Sequence, residues 1–287
     1  MIKSYIQLAK PGIIFGNLIT ACAGFGLASK GHFNFCLFIS MLVGLALVIG
    51  AACVFNNYLD RFIDQKMVRT KNRPLASGAV TTTHALIFGA ILGVLGVAVL
   101  GFFTNLLATL LAICGALLYV MVYSFMKKKS HFATEIGSIA GAIPPVVGYA
   151  AITNQLDGAA LLLFLILVFW QMPHFFAIAL FRLHDYKAAA IPVLPVKKGI
   201  RSTKIQMLVY VVVFTLTAML LTLLGYAGYL FLIVISLLGV AWLWLSFQGF
   251  SCKNDTVWAK KMFRFSLVVI MLFSIVLPLD LYLSTGQ

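Results

Sequence analysis

Acidic side chains are scarce in this sequence: seven Asp and Glu stand against 21 Lys and Arg, and charged residues make up only 10% of 287 positions. So little charge, with 62% apolar residues and a mean hydropathy of +1.06, excludes a soluble globular domain, in which about a quarter of residues are charged. Cysteine is sparse as well. Cys22, Cys36, Cys53, Cys114 and Cys252 are odd in number, scattered and mostly inside apolar runs, which excludes a disulfide framework or a cysteine metal knot. An Arg- and Ser-rich amphipathic leader is missing, and this points to a bacterial inner membrane rather than an imported organelle protein.

Long apolar runs are what the chain has instead. Nine of them approach the roughly 20 residues a helix needs to cross a bilayer core: 12–29, 35–55, 85–103, 105–126, 133–152, 158–181, 205–224, 228–247 and 264–283. The first is read as a span rather than a cleaved signal. The expected architecture is an all-α membrane protein with nine transmembrane helices, a single polytopic domain over residues 1–287.

Charge provides an independent check on that count, because Lys and Arg accumulate in cytoplasmic loops. With the N-terminus inside, the cytoplasmic segments carry Lys3 and Lys10; Arg61, Lys66, Arg69, Lys71 and Arg73; and Lys127, Lys128 and Lys129. The next two carry Arg182, Lys187, Lys197, Lys198, Arg201 and Lys204, then Lys253, Lys260, Lys261 and Arg264. Only Lys30 falls outside. A missed helix would scramble this parity, so the charge predicts a cytoplasmic N-terminus and a periplasmic C-terminus. The net charge of +14 thus reads as topology and not as nucleic-acid binding, for which the chain has too little soluble mass.

Acids near a membrane span need a reason to be there. Asp157, Asp255 and Asp280 sit at loops or span ends and read as solvated. Asn56, Asp60 and Asp64, by contrast, recur every fourth residue at the inner end of the second span and share one helical face. Hard oxygen ligands in such a row, beside Lys66, Arg69, Lys71 and Arg73, suit Mg²⁺ and a polyphosphate; the competing reading is a polar helix end with topogenic bases. After the sixth span a second acid-plus-base stretch follows, from Arg182 through His184, Asp185 and Lys187 to Lys197 and Lys198. Spans two and six are four apart, which suggests two pseudo-repeated four-helix halves plus a ninth helix. Facing carboxylate sites would suit loss of diphosphate from an allylic prenyl donor in an apolar chamber.

Asn56 through Asp64, with Met67, Arg69, Thr70, Arg73, Pro74 and Leu75, resembles the first motif of the UbiA superfamily of intramembrane prenyltransferases, and in particular its haem-modifying branch. The resemblance extends through Lys10-Pro11-Gly12, Gly141 to Pro145, Trp170 to His174, Asp185-Tyr186 and Ile191 to Pro195. It implies that Asn56, Asp60, Asp64 and Asp185 hold Mg²⁺, the three acids being catalytic, and that Arg69 and Arg73 bind diphosphate. Ala189 stands where the wider superfamily has a second acid, and Asn57 where many relatives have another, so one metal ion or two remains open. The implied reaction transfers farnesyl from farnesyl diphosphate to a vinyl group of haem b, with haem A synthase or a terminal oxidase downstream; the rivals are a quinone-precursor acceptor and a membrane transporter.

Several further residues carry two readings each. Lys71, Arg182, Lys187 and Lys197 are near enough in sequence to the acids to contact diphosphate, or are topogenic. Tyr119 and Tyr123, one turn apart, could donate to diphosphate, or be interface tyrosines. His174 could ligate haem iron or hold a propionate, or be a packing histidine; on an uninterrupted helix it would share a face with Asp185, about 16 Å deeper. His184 beside Asp185 divides the same way, while His32, His84 and His131 read as bland. Lys127 to Lys129 and the bases before the ninth span read as orienting charge only.

Overall fold

Asn34 starts a helix by accepting the Leu37 N–H on its side-chain oxygen (3.0 Å), and the 30 residues that follow, Phe35–Asp64, contain no proline to stop it. At 1.5 Å per residue this helix is about 45 Å long against a hydrocarbon core of about 30 Å, so its last turns project beyond the core. Those turns carry Asn56, Asp60 and Asp64.

The structure is a computed structural model and describes residues 2–285. The short α1 (Ile2–Ala9) precedes α2 (Pro11–Ser29), α3 (Phe35–Asp64) and α4 (Thr82–Phe103). The fourth span, Leu106–Met126, joins α5 (Leu106–Leu117), a π-helical segment (Leu118–Tyr123) and α6 (Ser124–Met126). The fifth comprises α7 (Ala133–Gly141) and α8 (Ile143–Thr153), broken at Ala142 where Pro144 and Pro145 begin a new helix. Then come α9 (Gly158–Phe181), the short α10 (Leu183–Ala188) and α11 (Leu194–Lys197), α12 (Gly199–Leu223), α13 (Tyr229–Gln248) and α14 (Asp255–Thr285).

Among the described residues nine helices are long and apolar enough to span a membrane, and no strand occurs. The nine apolar runs match them. The differences lie where helices outrun the apolar count: α3 continues nine residues past 55, α12 starts at Gly199 and α14 at Asp255. Asn254 explains the last of these, since its side-chain oxygen accepts the Thr256 and Val257 N–H groups (3.0 and 3.1 Å) and caps α14.

Of the three acids read as solvated, Asp157 is exposed, Asp255 half-buried and Asp280 buried, and each has a partner. Asp157 caps α9 through the Ala160 N–H (3.1 Å) and accepts the Tyr149 hydroxyl (2.7 Å). Asp280 is buried and accepts the Gly228 N–H, and Asp255 pairs with the buried Lys204, which also donates to Gly249 O (2.6 Å). Each ties a loop to a helix end. Lys204 is therefore a structural partner and more than an orienting charge.

The bundle packs α2 against α8, α3 against α4, and α9 against α12 and α14, with α14 returning to α2. At the α2 and α8 crossing, a Cβ on Gly24 would collide with Pro145 O and one on Gly148 with Ala21 O. Backbone meets backbone there, which only glycine allows. Gly148→Leu should therefore lower the melting temperature in detergent sharply, the cost exceeding the usual 1–3 kcal/mol of overpacking because neither wall is a movable side chain; an unchanged melt would contradict this crossing.

Candidate active site

All three oxygen-bearing residues of the α3 row are buried: Asn56 is 2% exposed, Asp60 5% and Asp64 2%. Burying them is costly unless each is paired. Each is, and by a base from a different segment. Asp64 accepts Arg73 Nη1 on both oxygens (3.0 and 2.9 Å), and Lys127, just past α6, pairs with Asp60 Oδ2. Asn56 Oδ1 accepts Lys10 Nζ (2.6 Å) and the Tyr119 hydroxyl (3.3 Å), while its Nδ2 donates to Ser124 Oγ (2.8 Å). Asp60 Oδ1 is buried with no hydrogen-bond partner.

The segments that supply these bases are shaped for it. Lys10 has φ 54° and stands before Pro11, a left-handed conformation that is unusual for a residue preceding proline, and the sharp corner turns its side chain into the site. Burial pushes its ammonium down to about 8 and pushes that of Lys127 down as well. The π-helical segment, with a wider turn than an α-helix, lets Ser124 Oγ reach back to Tyr119 O (3.1 Å) and stacks Tyr119 on Tyr123 at 5.5 Å and 10°. Lys127 Nζ lies 5.5 Å from the Tyr123 ring centroid. Gly137 makes room, since a Cβ there would stand 2.9 Å from that ring.

A second wall comes from the stretch after α9. Met67 packs with Ala189 and Ile191, with Tyr186 and Val193 alongside, so the connection after α3 and the one after α9 form a common apolar contact. Arg69, Asp185, Arg182 and Arg73 are the charged groups acting on Tyr186, whose phenol burial pushes up. Asp185 is half-buried, whereas Arg69, Lys71, Arg182, Lys187 and Lys197 are exposed.

The UbiA prenyltransferase family model matches residues 17–268. The chain belongs to the UbiA prenyltransferase family. It is 52% identical over 281 residues to the protoheme IX farnesyltransferase of Protochlamydia amoebophila, covering 98% of this chain and 99% of that one. It is 50% identical over 281 residues to the Yersinia pseudotuberculosis protein of the same name, covering 98% and 95%. Among solved structures, a digeranylgeranylglyceryl phosphate synthase superposes with a TM-score of 0.80 at 20% identity over 98% of both chains. An Archaeoglobus fulgidus UbiA homolog bound to GPP and Mg²⁺ gives 0.69 at 16%, covering 96% and 99%. These two show the shared UbiA fold.

In this UbiA family member the row fits a hard divalent cation. The donors are all oxygen, the orphaned Asp60 Oδ1 has a vacant lone pair, and protein cations already sit against the row. Among the described residues no three His, Cys, Asp or Glu side chains come together, so the cluster is two carboxylates and an amide.

His174 lies on α9, which runs through Pro173, but the helix breaks at Arg182, so Asp185 rides on α10 and the single-face relation to His174 does not hold. His174 Nδ1 is 2.7 Å from Ser266 Oγ, and the ring stacks on Trp170 at 4.9 Å. Because the Ser266 hydroxyl donates to Phe263 O (2.6 Å), Nδ1 must be the donor to Ser266, which leaves Nε2 with a free lone pair.

Two site residues escaped the sequence reading. Lys127, taken for an orienting charge, is the partner of Asp60; the i, i+4 spacing from Tyr123 was the available signal. Lys10 stands in the sequence as part of the Lys10-Pro11-Gly12 segment of the resemblance and reads as a topogenic base, with no role given to it in the site. Lys10→Met should leave Asn56 held only by Tyr119 and Ser124 and remove a cation from the row, raising the KM for a prenyl diphosphate about 10-fold or more, measured by diphosphate release; an unchanged KM would remove Lys10 from the site.

Proposed function

We propose that this prenyltransferase transfers the farnesyl group of farnesyl diphosphate to a vinyl group of haem b, with addition of water, giving haem O and diphosphate. The carrying observation is the buried Asn56, Asp60 and Asp64 row with a base on each member. The relatives named protoheme IX farnesyltransferase support the acceptor. Asn56, Asp60 and Asp64 would hold Mg²⁺, with Asp185 from the facing stretch, and the ion supplies charge neutralisation for the leaving diphosphate. The placement is the bacterial inner membrane, with this site on the cytoplasmic side and the N-terminus inside, in keeping with the distribution of Lys and Arg.

The chain's own groups then divide the work. Arg73, Lys10 and Lys127 hold the diphosphate, with the Tyr123 hydroxyl as a donor and Arg69, Lys71, Arg182, Lys187 and Lys197 drawing it in. The allylic C–O bond breaks with its electron pair going to diphosphate, and the stacked faces of Tyr119 and Tyr123 offer π-density to the cation left behind. The vinyl carbon attacks that cation, the adjacent carbon takes up hydroxide from water, and a proton is released. His174, with its free Nε2, would be the group that holds the haem by its iron.

Purified protein given haem b, farnesyl diphosphate and Mg²⁺ should form haem O and release one diphosphate per turnover. Folded protein that forms none, or that prenylates an aromatic quinone precursor in preference to haem, overturns the assignment.

A further inference from the structure

On the outside of the bundle, away from the acid row, α1 roofs an apolar groove of about 530 Å³ whose lining includes Ile6, Ala9, Ile14, Leu47, Gly50 and Phe88. It opens on the surface that faces lipid, where water does not fill an apolar recess and a hydrocarbon chain does. In the α1 roof Ile2 and Ile6 line the groove and are still 79% and 54% exposed, as apolar residues of an interfacial helix are.

Two cations belong to the helices that line it, Arg61 on α3 and Lys3 on α1. Gly50 and Arg61 are eleven residues apart on α3, which puts them on one face within about 20° and roughly 16 Å apart along the axis. Arg61 donates to Tyr58 O (2.6 Å) with its guanidinium 4.2 Å from the Tyr58 ring centroid, and Tyr58 packs in the same apolar cluster as Tyr5 and Phe88. Lys3 on α1 is exposed. Neither α1 nor α4 contains an acid. Asn56 lies about 120° round α3 from Gly50, so the groove is separate from the diphosphate site.

We propose that this groove binds an anionic phospholipid, one acyl chain beneath α1 and the phosphate on Arg61 and Lys3. The roof ends in the residues that brace the active helix: Leu8 O accepts Asn57 Nδ2 (2.8 Å) and Lys10 reaches Asn56. A lipid wedged there supports the corner that aims Lys10.

The test uses Phe88→Trp in the full chain, reconstituted in nanodiscs of phosphatidylethanolamine with increasing brominated phosphatidylglycerol or brominated phosphatidylcholine, with the parent's four tryptophans as the baseline. Quenching of the new indole should reach half-maximum at about a fivefold lower fraction of phosphatidylglycerol, the selectivity of one surface cation. Equal curves overturn the proposal, and Leu92→Trp gives an independent reporter. Gly50→Leu, whose Cβ would meet Leu92, Ile14 and Ala9 at 3.5–3.7 Å, should fill the groove and abolish the preferential quenching. Persistence of that quenching counts against the groove. Arg61→Gln should equalise the two lipids, and a retained fivefold preference overturns the phosphate assignment.

Discussion

Asp60→Asn should cut diphosphate release from farnesyl diphosphate by about 10²–10³-fold while the protein still folds. The substitution is isosteric, so the packing of the α3 end is untouched. What changes is the carboxylate charge, which faces Lys127 through Oδ2 and would meet a cation through Oδ1, the one buried oxygen of the row that no protein group satisfies. An amide there offers at best a weaker oxygen and at worst an N–H that repels the ion, so the Mg²⁺ concentration for half-maximal activity should rise as turnover falls. Asp64→Asn should act in the same direction, because it also releases Arg73. Lys253→Ala is the comparison, since it removes a base from the connection between α13 and α14 and should leave turnover within twofold or so, as surface changes do. Equal losses in Asp60→Asn and Lys253→Ala would mean the acids have no special part.

Lys127→Met should be the most destabilising single change at the site, by about 3–5 kcal/mol without metal, because it strands a buried carboxylate. The Lys127 and Asp60 side chains are 13% and 7% exposed, so water cannot replace the lost partner. The pair is coupled, and the double variant Lys127→Met with Asp60→Asn should regain most of the lost stability while staying inactive. Added Mg²⁺ should stabilise Lys127→Met more than the parent, since a metal ion then neutralises the charge the ammonium had covered. Thermal melts with and without Mg²⁺ read this directly. A double variant as unstable as the single one would show that Lys127 acts through packing of its stem and not through Asp60.

What was legible in the sequence was local. Asn56, Asp60 and Asp64 announce themselves because a period of four on a helix is visible in one dimension, and the nine spans because apolar length is too. The partners of that row were hidden because they arrive from far along the chain: Lys10 is 46 residues from Asn56, and Lys127 is 67 from Asp60. A lysine at a span end looks the same in sequence whether it orients the protein or pairs with a buried acid. The hydrogen bond that sets the His174 tautomer spans 92 residues. Breaks inside helices were equally silent: Arg182 carries no helix-breaking signature, yet α9 stops there and hands Asp185 to a separate helix.

The π-helical segment at Leu118–Tyr123 amounts to a span wound with one residue more than its α-helical neighbours need. Such a surplus is all or nothing. Deleting any single residue of the segment would rewind it to an ordinary helix and swing everything beyond by about 100°, carrying Tyr123, Ser124 and Lys127 off the acid row together. Point substitutions can erode this site step by step, but a change of length can only switch it off.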